Sequence, residues 1–238
     1  MPSDRGVFSY LVQHFFRRFF DNDTLQVEGD TQTSVVRALS IVAVPGLMFS
    51  FWLQNAYPQR TMWGAIEDQY FFVLFSFVVM GMVAIFEWEM LFPDRMDFLI
   101  LSPMSIKPQQ MLGAKSAALG GFIGLFLVGC NMCGTLIMPA ITTHLVRVNG
   151  QPRIVGHFWR QLAAHAAAVS MAGLFAALLF VAIGGVLLCL LSAQQFRVVS
   201  PIVQALSVMG LLLLMIEYLQ YGDVIEQLLT GPLGWIRC

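Results

Sequence analysis

Long apolar runs recur along this chain, and its polar residues are concentrated between them. Five runs approach or exceed the length that a helix needs to cross a bilayer, about 20 residues at about 1.5 Å each. They cover approximately residues 35–53, 70–86, 114–138, 162–191 and 199–219. Only a helix satisfies its own backbone in lipid, and the sequence lacks the alternation typical of a membrane barrel. The pattern therefore predicts an all-α integral membrane protein with about five transmembrane helices.

The segment before the first run is amphipathic. Large apolar residues recur there at helical spacing: Phe8, Leu11, Val12, Phe15, Phe16, Phe19 and Phe20. Arg17 and Arg18 stand among them, as is typical of a helix lying in the membrane interface with its apolar face down. A polar, acidic stretch follows at residues 21–34. We therefore divide the chain into an N-terminal interfacial helix with its linker, residues 1–34, and a transmembrane domain, residues 35–238.

The amino-acid composition narrows the class of protein further. Hydrophobic residues make up 58% of the chain and charged residues 11%, with a mean hydropathy of +0.73. One water-soluble core cannot hold so many apolar residues, so much of the surface is expected to face lipid. A net charge of −1 gives no basic field for nucleic acid. Four scattered cysteines indicate neither a disulfide framework nor a metal site.

The distribution of lysine and arginine predicts the orientation. With the N-terminus inside, eight of these residues lie in cytoplasmic segments and five in outer segments. This bias favours a cytoplasmic N-terminus, in a multi-pass protein that we expect in the bacterial cytoplasmic membrane. In the outer segment 139–160, Asn149-Gly150 between short apolar stretches favours a hairpin, whereas Pro152 argues for an irregular loop.

The loop between the second and third runs carries most of the functional information. Asp94, Arg95 and Asp97 precede an apolar cluster, as charged residues commonly do in a first helical turn. Ser102-Pro103 then ends the predicted helix, and Lys107-Pro108 begins another. A short amphipathic helix at this place has two plausible uses. It either seals the membrane boundary or fits a groove on a soluble partner, and the residues alone leave both open.

A resemblance to a known family favours the second use. The order of elements resembles the permease subunits of type-2 ABC exporters, which have an N-terminal interfacial helix and a coupling helix between spans two and three. Their local pattern begins with an acid-rich exit from span two and continues with a leucine-rich stretch. Ser-Pro follows, with a serine and a base after it, and a glycine and a lysine open span three. The matching residues are Glu87, Glu89, Asp94, Leu99, Leu101, Ser102, Pro103, Ser105, Lys107, Leu112, Gly113 and Lys115.

The resemblance implies that the loop docks on an ATP-binding cassette ATPase subunit and transmits its closure to the helices of two permease units. Phe98, Leu99, Leu101 and Met104 would form the contact, with Pro103 and Lys107 beside them. Charged residues would set register and orientation: Glu87, Glu89, Asp94, Arg95 and Asp97. The family's fold also has a sixth span, which is missing after Tyr218. We therefore expect a truncated chain or one part of a longer permease.

Other residues are weaker candidates. Gly120 with Gly124, and Gly129 with Cys133, have the spacing of close-packed helix faces. Cys130 and Cys133 also have a redox or metal spacing, but packing is the favoured interpretation. Glu217 is either a pathway acid or a hydrated interface residue. Asn131 and Gln204 are expected to bond between helices, and His165 is expected to pack at the interface.

The motifs exclude several activities. A phosphate-binding Gly-x-x-x-x-Gly-Lys-Ser/Thr motif is missing from the sequence, so any ATP hydrolysis is expected in a partner. Glu87 and Glu89 point to nearly opposite faces of a helix, which argues against paired acid–base work. The sequence indicates no enzyme activity and no cofactor. A non-transporting membrane scaffold or assembly subunit is the alternative to a permease. For a permease, the sequence does not identify the cargo.

Overall fold

The computed structural model describes residues 4–19, 31–56, 62–91, 108–145, 147–148, 151–152 and 157–230. Six helices form within these ranges. They are α1 (Asp4–Arg18), α2 (Thr31–Ala56), α3 (Met62–Leu91), α4 (Pro108–Leu145), α5 (Phe158–Leu190) and α6 (Ala193–Thr230). The predicted all-α membrane fold is confirmed, because four of these helices are long and apolar enough to cross a bilayer.

The four candidate spans overlap the last four predicted runs, and each begins four to six residues earlier. They cover Ile66–Trp88, Gln109–Ala140, Phe158–Leu190 and Ala193–Tyr218. The first predicted run differs, because the apolar stretch of α2, Leu39–Leu53, is shorter than the other four and is not among the candidate spans. Pro45 lies inside α2, and polar residues at both ends limit the apolar part of this helix.

Helix α3 lies at the centre of the bundle. More than half of its apolar window (56%) is buried within the chain, against 11% for α6. This helix is apolar on all sides, which is typical of a helix surrounded by others. Its buried residues include Leu74, Val78, Met80 and Ile85, which pack with residues of α4, α5 and α6 into one core.

Contacts along α3 give the direction of its neighbours. Phe72 packs against His165 of α5, and Ser76, one turn later, bonds to Val169, so α3 and α5 run parallel. Helix α6 is antiparallel to α3, because Trp88 bonds to Ser200 whereas Glu67 bonds to Tyr218. Helix α4 is antiparallel too, with Ser76 against Asn131 and Phe72 against Gly134. We call the end that holds the C-terminus of α3 the loop end.

Helix α1 packs along the first part of α4. Phe8 lies 3.6 Å from the position of a Cβ on Gly113, and Phe16 lies 3.5 Å from that on Gly121. Both helices advance by eight residues between these contacts, so they run side by side in the same direction. Leu11, Phe15 and Phe19 are buried there. The sequence assigned this apolar face to lipid, but the structure places part of it against protein.

Two short connections are well defined. The strands β1 (Arg147–Val148) and β2 (Gln151–Pro152) pair antiparallel, as in the hairpin that the Asn-Gly pair favours, despite Pro152. At the loop end, Ser192 and Gln195 begin α6 with a capping box. The Ser192 backbone N–H donates to Gln195 Oε1 at 3.1 Å, and the Gln195 N–H lies 3.5 Å from Ser192 Oγ.

Candidate functional site

The centre of the predicted coupling loop falls outside the described residues. This concerns Asp94, Arg95, Asp97, Phe98, Leu99, Leu101, Pro103, Met104 and Lys107. The structure describes both ends of that loop, where α3 stops at Leu91 and α4 starts at Pro108. Proline in the first turn of α4 agrees with the predicted helix start. The candidate site is therefore the base of the loop, formed by the last turns of α3, the first turns of α4 and the elements packed on them.

Trp88 fixes the α3 side of this base. Its side chain is fully buried, and its Nε1–H donates a hydrogen bond of 3.1 Å to Ser200 Oγ on α6. One turn earlier, Gln204 Nε2 on α6 donates to the Ile85 carbonyl at 3.3 Å. A tryptophan whose ring is buried and whose N–H is bonded has little freedom to move alone. Any displacement of the end of α3 is therefore shared with α6.

Glu87 is the only coupling-loop acid whose side chain the described part of the chain defines. It is half-buried, and its Oε2 is shielded from the surroundings without a hydrogen-bond partner among the described residues. Burying a carboxylate oxygen without a partner is unfavourable. Glu89 lies two residues later in the same helix. The Glu87 carboxyl group therefore has a buried oxygen close to the point where the chain leaves α3 for the loop.

Lys115 occupies the α4 side of the base. It is 6% exposed, and its Nζ lies 5.7 Å from the centre of the Phe15 ring of α1, within the range of a cation–π contact. Its neighbour Ala114 is fully buried in the same core. Lys115, the lysine that matches the permease pattern, is thus buried where α1 contacts α4. The two ends of the loop are consequently tied to four helices: α1, α3, α4 and α6.

A polar network lies deeper in the bundle and connects three helices. Asn131 Nδ2 on α4 donates to Ser76 Oγ on α3 at 2.9 Å, and Ser76 Oγ donates to the Val169 carbonyl on α5 at 2.8 Å. Asn131 and Gln204 were predicted to bond between helices, and both do so. Gln204 bonds to a backbone carbonyl, that of Ile85. The sequence analysis missed Ser76, the partner of Asn131, and Ser200, the partner of Trp88, and each is a single small polar residue within an apolar run.

The four residues proposed for helix packing behave differently. A Cβ on Gly129 would lie 2.7 Å from Leu39 Cδ2, so α2 approaches α4 closely at this glycine. A Cβ on Gly120 or Gly124 would meet nothing within 4 Å among the described residues. Cys133 is half-buried with a free thiol, next to the fully packed Cys130. Among the described residues, Gly129 is therefore the glycine of these two motifs that another helix approaches closely.

Two further titratable residues lie away from the loop. Glu217 is exposed near the far end of α6, so it does not line an interior between the described helices of one chain. His165 is 6% exposed and packs edge-on against Phe72 at 5.7 Å, with no hydrogen-bond partner for Nε2 among the described residues. The described ranges bring together no group of three metal-ligating side chains.

No family model, curated protein or solved structure matches this chain. The resemblance to type-2 exporter permeases stays a prediction from the loop pattern and the order of elements. The structure adds the geometry at the base of that loop.

Proposed function

We propose that this chain is a membrane-spanning, permease-like subunit of an ATP-driven exporter of the ABC class. The loop between α3 and α4 would receive the closure of a partner ATPase and pass it to the helices. The observation that supports this proposal most directly is the packing at the base of the loop. Buried residues at its two ends, Trp88 and Lys115, contact α6 and α1 respectively.

This arrangement suits a mechanical role because α3 has bonded neighbours on several sides. Its loop end bonds to α6, its middle bonds to α4 and α5 through Ser76, and its far end bonds to α6 through Glu67. A force applied to the loop would reach α3 first and then these helices. Packed helices of this kind rock as bodies rather than deform continuously.

The exposed surface of α6 suits a second permease unit. Only 11% of its apolar window is buried within the chain. Large apolar side chains cover the rest, among them Ile202, Leu206, Met209 and Leu213. Lipid covers such a surface in a monomer, and a homo- or heterodimer would place part of it at the subunit contact. The cargo path would then lie between two units.

The first prediction concerns partner binding. Replacing Leu99 and Leu101 with glutamate is expected to abolish co-purification of an ATPase, because charge would enter the apolar contact. Affinity purification in mild detergent, followed by mass spectrometry for proteins with Walker A and B motifs and by an ATPase assay, measures this. Replacing both leucines with methionine is the control and should retain the partner. Retained co-purification in the glutamate variant would contradict the coupling role.

The second prediction concerns orientation. Because α3 and α5 are parallel, the α3–α4 loop and the α5–α6 turn lie at the same end. A cysteine at Ala193, in a chain whose native cysteines are replaced by alanine, is expected to react with a membrane-impermeant maleimide only from the cytoplasmic side. A cysteine at His157, the exposed residue before α5, should react only from outside. The reverse pattern would put the loop beyond the reach of a cytoplasmic ATPase.

A further inference from the structure

Tryptophan and tyrosine side chains from four helices lie near the end of the bundle opposite to the loop end, which we call the far end. They are Trp52 of α2, Tyr70 of α3, Trp159 of α5 and Tyr218 of α6. Trp52, Tyr70 and Trp159 are exposed at 59%, 56% and 75%. Each of the four combines an apolar ring with one polar group. We call these four residues the aromatic belt.

Ring contacts place three members of the belt at similar heights. The rings of Tyr70 and Tyr218 lie 5.5 Å apart. The Trp52 ring lies 5.4 Å from that of Phe49, and Phe49 stacks at 3.7 Å on Phe71, the residue after Tyr70. Helices α2, α3 and α6 therefore carry their belt residues to the same part of the far end.

The fourth member, Trp159, lies slightly further out. His165 packs against Phe72, so these two residues mark the same height on the parallel helices α5 and α3. Trp159 comes six residues before His165, and Tyr70 comes two residues before Phe72. At about 1.5 Å per residue, Trp159 lies about 6 Å beyond Tyr70 along the bundle. A headgroup layer is about 5–7 Å thick on each side of a bilayer, so one layer accommodates the whole belt.

The charged residues of two helices indicate the same boundary independently. Residues 69–86 of α3 and 198–216 of α6 contain no charged side chain, and they are about 27 and about 28 Å long. Charged residues stand directly at both ends of these segments: Asp68 and Glu87 on α3, Arg197 and Glu217 on α6. The length of each charge-free segment is close to the thickness of the hydrocarbon layer of a bilayer, about 30 Å.

Hydrogen bonds hold the two charge-free segments side by side. At the far end, the Tyr218 hydroxyl donates to the Glu67 carbonyl at 2.7 Å. At the loop end, Trp88 Nε1 donates to Ser200 Oγ at 3.1 Å. The two helices are antiparallel, yet their charged residues coincide at both ends. Two independent sequences therefore define one layer of the bundle, and the aromatic belt lies at one edge of it.

We propose that the aromatic belt contacts the phospholipid headgroups of one leaflet, and that the hydrocarbon layer covers residues 69–86 and 198–216. Tryptophan and tyrosine favour this depth because the ring lies against acyl carbons while the N–H or O–H reaches headgroups and water. Charged side chains are unfavourable inside the hydrocarbon. Glu217 is then a hydrated interface residue and not an acid on a path through the membrane. The proposal requires no ATPase partner and holds for either orientation of the chain.

The first test measures the depth of Trp159. The full chain is placed in phosphatidylcholine vesicles whose acyl chains carry bromine at one of three depths, because bromine quenches tryptophan fluorescence. The other four of the five tryptophans are replaced by phenylalanine. We expect the bromines nearest the headgroups to quench Trp159 most strongly, which corresponds to about 15 Å or more from the bilayer centre. A chain that keeps only Trp52 should give the same depth profile.

Met171→Trp, in a chain without other tryptophans, is the matched control. Met171 is 71% exposed on the same helix as Trp159 and lies about 18 Å further along it. A tryptophan at this position should be quenched most strongly by the bromines nearest the bilayer centre. Identical depth profiles for Trp159 and Met171→Trp would overturn the proposal, and so would strongest quenching of Trp159 or Trp52 by the deepest bromines.

A second test retains all tryptophans, so it does not depend on the folding of the phenylalanine variants. A nitroxide label is attached to Glu217→Cys or to Met209→Cys, in a chain whose native cysteines are replaced by alanine. Met209 is 53% exposed on the same helix, near the middle of the charge-free segment. The label at Glu217→Cys should collide more often with a water-soluble nickel complex than with oxygen, and the label at Met209→Cys should show the reverse. Oxygen-dominated collisions at Glu217→Cys, or nickel-dominated collisions at Met209→Cys, would show that the hydrocarbon layer lies elsewhere.

Discussion

Replacing Gly173 with leucine is expected to destabilise the fold by about 3 kcal/mol, since overpacking a tight contact costs about 1–3 kcal/mol or more. A Cβ at this position would lie 2.6 Å from both Leu127 Cδ1 and Ser76 Oγ, and 2.9 Å from Met80 Cγ. No real side chain tolerates these distances without movement of its neighbours. The glycine therefore sits where α5 touches α3 and α4 at once.

The Ser76 contact makes this position particularly intolerant. Ser76 Oγ accepts a hydrogen bond from Asn131 and donates one to the Val169 carbonyl. Moving this hydroxyl to make room would weaken both bonds, and bonds between helices in membranes contribute about 0.6 kcal/mol each on average. Steric conflict and lost hydrogen bonding thus act in the same direction.

Gly210→Leu is the matched control, because a Cβ at Gly210 of α6 meets nothing within 4 Å among the described residues. Leucine also has the higher helix propensity, so this variant should be as stable as wild type or slightly more stable. The midpoint of thermal unfolding in detergent, followed by size-exclusion chromatography of heated samples, measures the difference. Equal midpoints for the two leucine variants would show that α5 does not pack on α3 as described.

The features that the sequence predicted well are local. Apolar run length locates the spans, and proline in a first turn locates the start of α4 at Pro108. The polar residue Asn131 inside an apolar run predicted a bond between helices, because a polar group in lipid needs a partner. Each of these predictions depends on residues close together in the chain.

The features that the sequence could not give depend on which helices meet. The bond from Asn131 to Ser76 joins residues that lie 55 positions apart, and the bond from Trp88 to Ser200 joins residues 112 apart. The apolar face of α1 was equally suited to lipid and to protein, since both are apolar environments. Only the packing of Phe8 and Phe16 against α4 distinguishes the two.

Trp88→Ala is the second variant with a large expected effect, a loss of about 3–5 kcal/mol, as for other buried tryptophans truncated to alanine. Trp88 is fully buried where α3 meets α6, and its removal would leave a cavity at the loop end. Trp88→Phe separates the contribution of ring packing from that of the hydrogen bond. It retains most of the ring volume but removes the N–H that donates to Ser200 Oγ at 3.1 Å, so a loss of only about 1 kcal/mol is expected.

A double variant tests whether this hydrogen bond connects α3 to α6. Ser200→Ala combined with Trp88→Phe should lose less stability than the sum of the two single losses, because both changes remove the same hydrogen bond, from Trp88 Nε1 to Ser200 Oγ. Fully additive losses would mean that the bond does not form. All three variants leave the contact residues of the α3–α4 loop unchanged. If the proposed function is right, Trp88→Phe should therefore retain the ATPase in affinity purification while lowering the thermal midpoint, since partner binding and the α3–α6 contact involve different surfaces.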